Sequence, residues 1–178
     1  MADKIKTNWT KESTPPRSFS FQISAKLSGK LKRKGIWSPE GSGAIGNRKL
    51  QFRSKGKANM HVTIYDSSSE QELGHLDFYW KDFQCSKLEF ASGSIFHFKS
   101  FDLFRGAWSW LKQDSPHEQF IFRVDNPLHR SGAIEYNSKD ISAEERDVLM
   151  LLGLHLSHYI NTWLITIIVV IVGVITGK

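Results

Sequence analysis

Two histidines are the first candidates for chemistry in this sequence, because His155 and His158 lie three residues apart in a segment predicted to be helical. Residues at that spacing share one face of a helix, where two side chains can bind the same metal ion. No carboxylate lies nearby in the sequence to complete such a site, which favours histidines of a core or an interface. The chain also contains no glycine-rich phosphate loop, nucleophile elbow or zinc-protease motif. The sequence therefore predicts no metal, no cofactor, no catalytic residue and no enzymatic activity.

A cluster of basic residues is the second candidate site, and its members are Lys30, Lys32, Arg33 and Lys34. Residues 1–60 contain 14 Lys and Arg against 3 Asp and Glu, whereas residues 61–178 contain 10 against 15. Such a cluster attracts anionic lipid headgroups or nucleic acid, although a solvated basic face has the same composition. We predict that these four residues bind anionic lipids.

The tryptophans and the cysteine do not predict a further site. We assign Trp80, Trp108 and Trp110 to the core or rim of the fold, because a base-stacking platform would need them exposed beside basic residues. No nucleic-acid partner is therefore expected. The single cysteine, Cys85, cannot form an internal disulfide, which fits a reducing compartment. With Lys87 as its one basic neighbour, it is predicted to be a buried, unreactive thiol.

The elements expected to position these residues are β-strands. From Phe19 onward, apolar and polar residues alternate with period two, as in residues 19–24, 58–65 and 120–124. Turn residues recur about every eight to twelve positions, which is typical of a closed or sandwiched antiparallel sheet. The sequence predicts a mainly β fold, an antiparallel barrel of about 10–12 strands within residues 17–160. Residues 1–16 are polar and are predicted to be a disordered leader.

A hydrophobic helix is predicted to begin at about residue 142 and to lie in the centre of the barrel. Ser142 and Glu145 fit a capping box, in which each side chain accepts a hydrogen bond from the other residue's backbone N–H. No obvious stop occurs before Gly177, so the helix would have about 36 residues and a length of roughly 54 Å. A barrel of these strands would be roughly 20–25 Å deep. The excess of about 30 Å equals the thickness of a bilayer's hydrocarbon core.

That excess corresponds to a hydrophobic C-terminal segment, residues 161–178, within a run from 148 to 177 that has no Asp, Glu, Lys or Arg. Between Trp163 and Thr176, the ten Leu, Ile and Val residues favour membrane insertion by about 3 to 6 kcal/mol. Two alternatives stay open, burial of the whole helix in its own fold and packing against a partner chain. The residues predicted to define the membrane segment are Tyr159, Trp163, Ile167, Val170, Gly173 and Ile175.

The charges that flank this segment indicate an orientation in the membrane. Lys139 and Arg146 precede the segment, whereas Lys178 alone follows it. By the positive-inside preference, the folded domain is predicted to face the cytoplasm. The polar N-terminus has no apolar stretch of the secretory type, which agrees with that location.

Several stretches of residue types also point to a family, and they are Val62–Asp66 with Gly74–Leu76, Gly93–Phe98, Phe104–Trp108 and Leu149–Leu156. On these stretches, about residues 45–160 resemble the tubby C-terminal-like superfamily, which includes the phospholipid scramblases, the plant LURP-one proteins and many uncharacterised bacterial members. Proteins of that superfamily wrap a β-barrel around a hydrophobic C-terminal helix. The resemblance implies the same architecture here, in a member of bacterial type.

These observations together predict a non-enzymatic, membrane-anchored β-barrel domain on the cytoplasmic face of a membrane, in contact with anionic lipids. The first alternative is a soluble interaction protein whose hydrophobic helix is buried in its own barrel or in a partner. The second is a scramblase-like lipid translocator. The chain has neither a cysteine cluster for acylation nor an acidic calcium loop, which disfavours the second alternative.

Overall fold

The computed structural model describes residues 4–12, 18–25, 27–34, 40–56, 59–79, 82, 85–102, 106–125 and 131–157. These residues form one α-helix, α1, and a closed antiparallel barrel of twelve strands, which confirms the predicted fold class. Each strand pairs with the strands that precede and follow it in the chain, and β1 pairs with β12. The strands are β1 Lys4–Lys11, β2 Ser18–Ser24, β3 Leu27–Arg33, β4 Gly41–Ile45, β5 Arg48–Lys55, β6 Asn59–Asp66, β7 Glu72–Tyr79, β8 Lys87–Phe90, β9 Ile95–Asp102, β10 Ala107–Lys112, β11 Glu118–Val124 and β12 Ser131–Asn137.

Strand β1 closes the barrel although the sequence predicted a disordered leader over residues 1–16. Lys4 lies opposite Asn137 of β12, and the pairing continues to Thr10, which lies opposite Ser131. The buried residues of β1 are Thr7 and Trp9, and of these Trp9 alone is apolar. The sequence of this strand therefore has almost no alternation of apolar and polar residues. Backbone pairing with β12 and β2 stabilises this strand, although its side chains show no hydrophobic pattern that would predict it.

Large aromatic side chains fill the inner face of the barrel. Trp108 and Trp110 of β10 are buried, which confirms their predicted place in the core, whereas Trp80 lies outside the described residues. The Trp108 ring stacks on that of Phe122 with centroids 5.3 Å apart. Because alternate residues of each strand point inward, neighbouring strands bring such rings into layers.

Helix α1 comprises residues 143–157 and begins at the predicted capping box. The backbone N–H of Ser142 donates to Glu145 Oε2 over 2.6 Å, and the backbone N–H of Glu145 donates to Ser142 Oγ over 3.1 Å. These bonds satisfy N–H groups that the first turn of a helix cannot pair internally. The prediction of where the helix starts is confirmed.

The helix lies inside the barrel, because every residue from 147 to 157 is buried. Its sides contact opposite walls. The His155 ring stacks on Phe52 of β5 with centroids 5.1 Å apart, and Gly153 lies so close to the Phe122 ring of β11 that a Cβ atom there would clash. Strands β5 and β11 are six places apart in the closed order of twelve. The strands therefore surround the helix.

The two ends of the barrel differ in what they connect. The entry end carries the turns at residues 46–47, 67–71, 91–94 and 113–117, together with the start of helix α1. The exit end is the opposite one, where the odd-numbered strands finish, for example at Lys55 of β5.

Helix α1 crosses the barrel from the entry end to the exit end. Near its start, Asp147 lies 3.8 Å from Arg48 at the beginning of β5. Further along, Leu151 lies against Gly43, and His155 lies against Gly41 at the exit end of β4. A helix of this length spans about 22 Å, which matches the depth of a barrel with strands of seven or eight residues. Residue 157 therefore lies at the exit end.

The chain beyond residue 157 lies outside the described residues, and with it the segment 161–178. The same holds for the residues predicted to define the membrane segment, Tyr159, Trp163, Ile167, Val170, Gly173 and Ile175. Among the described residues, no helix combines the length and the hydrophobicity that crossing a bilayer requires. The extension of α1 into a membrane anchor therefore stays a prediction.

Charged side chains close the entry end around the first turn of α1. Lys112 Nζ lies 3.2 Å from Glu145 Oε1 and donates to the backbone oxygen of Asp140 over 2.8 Å. Burial by itself raises the pKa of Glu145, but hydrogen bonds from the Ser142 backbone and from Lys112 outweigh it. The pKa of Glu145 consequently lies below its usual range, so its charged form stabilises the fold above the unfolded-state pKa.

Lys112→Met is expected to lower the free energy of unfolding by about 1 to 3 kcal/mol at pH 7, because it leaves a buried carboxylate without its cation. The loss should shrink towards pH 3, since a protonated Glu145 no longer requires the ammonium group. Urea denaturation at pH 7 and at pH 3 measures the loss in free energy of unfolding at each pH. Lys99→Met, at an exposed position of β9, is the matched control and should change little. An equal loss at every pH would show that the lost stabilisation is not electrostatic.

Candidate functional site

The structure separates the four residues of the predicted basic cluster into two groups. Lys30 and Lys32 occupy outward positions of β3 and are exposed, and Lys34 is exposed just beyond the strand. Arg33 is 1% exposed and points into the barrel. Period two along β3 is the cause, because successive side chains of a strand lie on opposite faces. Three of the four residues therefore share a surface, and Arg33 does not.

Strand β5 adds three cations that the sequence analysis did not select. Lys49, Arg53 and Lys55 are exposed on the outer face of β5. The register places Lys30 opposite Ala44 of β4, and Ala44 opposite Lys49. The six exposed cations of β3, β5 and the position after β3 are called the basic face: Lys30, Lys32, Lys34, Lys49, Arg53 and Lys55.

Two members of the basic face form ion pairs. Lys30 Nζ lies 2.7 Å from Glu12, and Lys34 Nζ lies 2.7 Å from Glu40. The hydrogen bond from Lys30 holds the pKa of Glu12 below its usual range. Such exposed pairs add little to stability, so they leave both lysines free to exchange partners. Within the part of the chain that the structure describes, Lys32 has no carboxylate partner.

A groove runs between the cations of β3 and those of β5. Its volume is about 270 Å³, and Lys30, Lys32 and Lys49 stand along its sides. The groove exists because β4 carries only the small side chains Ser42 and Ala44 on its outer face. Lysine stems bordering a shallow, partly apolar groove can contact acyl or glycerol carbons while their ammonium groups reach phosphate or carboxylate oxygens.

A second groove of about 520 Å³ lies on the other side of Lys30, across β1 to β4. Its lining is rich in hydroxyl and amide groups, including Thr10, Ser20 and Gln22. Thr10 Oγ1 and Ser20 Oγ are 3.3 Å apart and can share a hydrogen bond. These neutral groups can donate to the oxygen atoms of a polar headgroup beside Lys30.

Basic residues are concentrated on one side of the barrel because they are concentrated in one part of the sequence. Consecutive strands are neighbours in this topology, so the basic first third of the chain becomes one side of the barrel. The next side is mixed: on β6 to β8, His61 lies 2.7 Å from Asp77, and His75 lies 3.8 Å from Glu89. The basic face therefore stands out electrostatically from its neighbour.

The other residues with possible chemistry lie apart from the basic face. His155 is fully buried beside Phe52, which confirms it as a core histidine, while His158 lies outside the described residues. In the described ranges, no group of three or more His, Cys, Asp or Glu residues could hold a metal ion.

Comparisons with protein-family models, with curated proteins and with solved structures found no match for this chain. The resemblance to the tubby C-terminal-like superfamily therefore stays a prediction.

The prediction of a buried Cys85 is wrong, because this residue is exposed. It lies in a short turn before β8, where the alternating burial of strand residues does not apply. Its thiol donates to Asp82 over 3.0 Å. The neighbouring carboxylate raises the pKa of Cys85 and so disfavours the reactive thiolate.

Proposed function

We propose that this protein is a non-enzymatic β-barrel domain that segment 161–178 anchors to a membrane, with the folded part on the cytoplasmic face and in contact with anionic lipids. The path of helix α1 is the observation that carries this proposal. The helix has already crossed the barrel at residue 157, so the barrel offers no further depth to the charge-free run that continues to residue 177. Such a run needs another apolar environment, because its exposure to water would promote aggregation.

The basic face supports the lipid contact in this proposal. Its cations lie on the outer surface of the barrel, and Lys32, Lys34 and Lys55 among them lie at the exit end, where helix α1 finishes crossing the barrel and anionic headgroups can reach them. Each such cation near an anionic membrane contributes about 1 kcal/mol. Lys139 and Arg146, which precede the segment, favour the cytoplasmic side by the positive-inside preference.

Membership of the tubby C-terminal-like superfamily is part of the same proposal. The resemblance implied a β-barrel wrapped around a hydrophobic C-terminal helix, and the described residues have this arrangement. The proposal extends to the architecture and to lipid contact, and it carries no catalytic step.

Fractionation of cell membranes tests the anchor. The full-length chain is compared with a version that ends at Asn161, which keeps all twelve strands and residues 143–157 of α1. We expect only the full-length chain to stay in the membrane pellet after carbonate and high-salt washes, because insertion of segment 161–178 resists both. Thermal unfolding of the shorter version serves as the control for folding.

If both versions stay soluble and folded, the anchor is refuted, and the C-terminal segment belongs to the fold or to a partner chain. If both versions stay in the washed pellet, the barrel itself binds the membrane and the segment is not the anchor. Salt extraction of the shorter version alone is the result that fits the proposal.

A further inference from the structure

We propose that the barrel stands on the membrane by its exit end and that four cations there contact a negatively charged bilayer. These residues, called the exit rim, are Lys32, Lys34, Arg53 and Lys55. The inference rests on the proposed function and deepens it, because it assigns an orientation and a contact surface to the anchored domain.

The path of the chain sets the orientation. Residue 157 lies at the exit end, and the predicted membrane segment begins near Tyr159 or, at the latest, near Trp163. A connection of two to six residues spans at most about 7 to 22 Å, even when it is fully extended. The exit end is therefore held close to the bilayer surface, while the entry end is a further barrel depth of roughly 20 Å away.

The exit rim has the charge and the exposure that an anionic surface requires. All four side chains are exposed, and β3 and β5 bring them to the same end of the barrel. The Arg53 guanidinium donates to Gln51 over 2.8 Å and lies over the Tyr65 ring, 4.5 Å from its centroid. Gln51 and Tyr65 lie on the entry side of Arg53, so this side chain reaches the bilayer by exchanging these exposed partners. In the described residues, the acidic partner within this group is Glu40, which pairs with Lys34. The rim thus keeps a net positive charge.

Distance from the bilayer provides an internal control. Lys4 and Lys6 are exposed on β1, but they lie towards its start at the entry end. Along a tilted strand they are about 13 to 18 Å further from the exit end than Lys11 is. Electrostatic interactions fall off over about 8 Å at physiological ionic strength. These two lysines should therefore contribute little to contact with the membrane.

The single cysteine allows the orientation to be measured in the full-length chain. Cys85 is exposed and lies at the exit end, between β7 and β8. The chain is labelled there with a fluorophore and reconstituted into vesicles of phosphatidylcholine with phosphatidylserine. Lipids with a spin-labelled headgroup quench the fluorophore only at short range. The reference variant combines Cys85→Ser with Ser92→Cys, which moves the label to an exposed turn at the entry end.

We expect strong quenching at Cys85 and weak quenching at position 92. Lys32→Gln with Lys55→Gln should lower the ratio of docked to undocked barrels about 30-fold, since each cation contributes about fivefold. Lys4→Gln with Lys6→Gln removes the same charge and should leave quenching unchanged. In vesicles of phosphatidylcholine alone, quenching at Cys85 should be as low as quenching of the Lys32→Gln and Lys55→Gln variant in the anionic vesicles.

Three results would overturn the proposal, and they distinguish a wrong orientation from a failed anchor. If the chain floats with the vesicles but position 92 is quenched as strongly as Cys85, or if the Lys4 and Lys6 variant loses as much quenching as the rim variant, the orientation is wrong while the anchor stands. If the full-length chain does not float with vesicles of either composition, the anchor fails and the orientation fails with it.

Discussion

Ile167→Asp combined with Val170→Asp is expected to move the full-length chain from the washed membrane pellet to the soluble fraction. Two aspartates near the middle of a membrane helix cost about 5 to 7 kcal/mol. The ten Leu, Ile and Val residues between Trp163 and Thr176 favour insertion by only about 3 to 6 kcal/mol. The substitutions should therefore cancel insertion, which carbonate-washed fractionation measures.

The same variant separates a membrane anchor from a segment buried in protein. In the first case, thermal unfolding of the barrel should be unchanged, because the substituted residues do not contribute to its core. In the second case, two buried unpaired carboxylates would lower the midpoint of unfolding strongly. Ile167→Leu with Val170→Leu is the matched control and should remain in the pellet. A variant that is still inserted after the washes would refute the anchor as proposed.

Leu151→Ala is expected to lower the free energy of unfolding by about 2 to 5 kcal/mol, as measured by urea denaturation. Leu151 is fully buried at mid-depth of the barrel. Surrounding strands cannot collapse onto the space it leaves, because the closed ring of pairings fixes their distance from the helix. The cost should therefore fall in the upper part of that range.

A double-mutant cycle with Gly43→Ala tests whether helix α1 has the register that places Leu151 against Gly43. A Cβ atom on Gly43 would lie 2.7 Å from Leu151 Cδ1, so Gly43→Ala alone should cost about 1 to 3 kcal/mol. With Leu151→Ala this contact disappears, and the two changes should couple favourably by at least about 1 kcal/mol. Gly43→Ala with Leu76→Ala of β7 is the control pair, and its effects should add. Additive effects of both pairs would contradict this register.

The barrel was predictable from sequence where inward positions are apolar. Phe19 and Phe21 of β2, or Phe120 and Phe122 of β11, give a clear alternation. The strands β3 and β4 were missed because glycines occupy inward positions on both. On β3, Gly29 makes room for the Phe21 ring of β2, and on β4 the glycines lie where the wall approaches the helix. Gly43, for example, makes room for Leu151. Glycine contributes no apolar side chain, so a strand with glycine at its inward positions lacks the alternation that would predict it.

The basic face was only partly predictable for a related reason. A cluster of four basic residues is visible in the sequence, but the strand period places Arg33 inward and Lys30 and Lys32 outward. Lys49 joins Lys30 through the register of β4, which contains two inward glycines and few apolar residues. Because the sequence pattern does not predict β4, it cannot show that β3 and β5 form one surface. The helix cap, in contrast, depends only on residues three apart, and it was predicted correctly.

The position of α1 has a consequence for the order of events during synthesis. The seam between β1 and β12 joins residues as far apart as Lys4 and Asn137, and the helix that fills the barrel follows β12. The seam cannot form until residue 137 has left the ribosome, and the core cannot be completed until residue 157 has. Until then the strands expose their inward aromatic rows, and contacts so distant in sequence form slowly. We therefore expect the nascent chain to need protection by a chaperone until its last helix emerges.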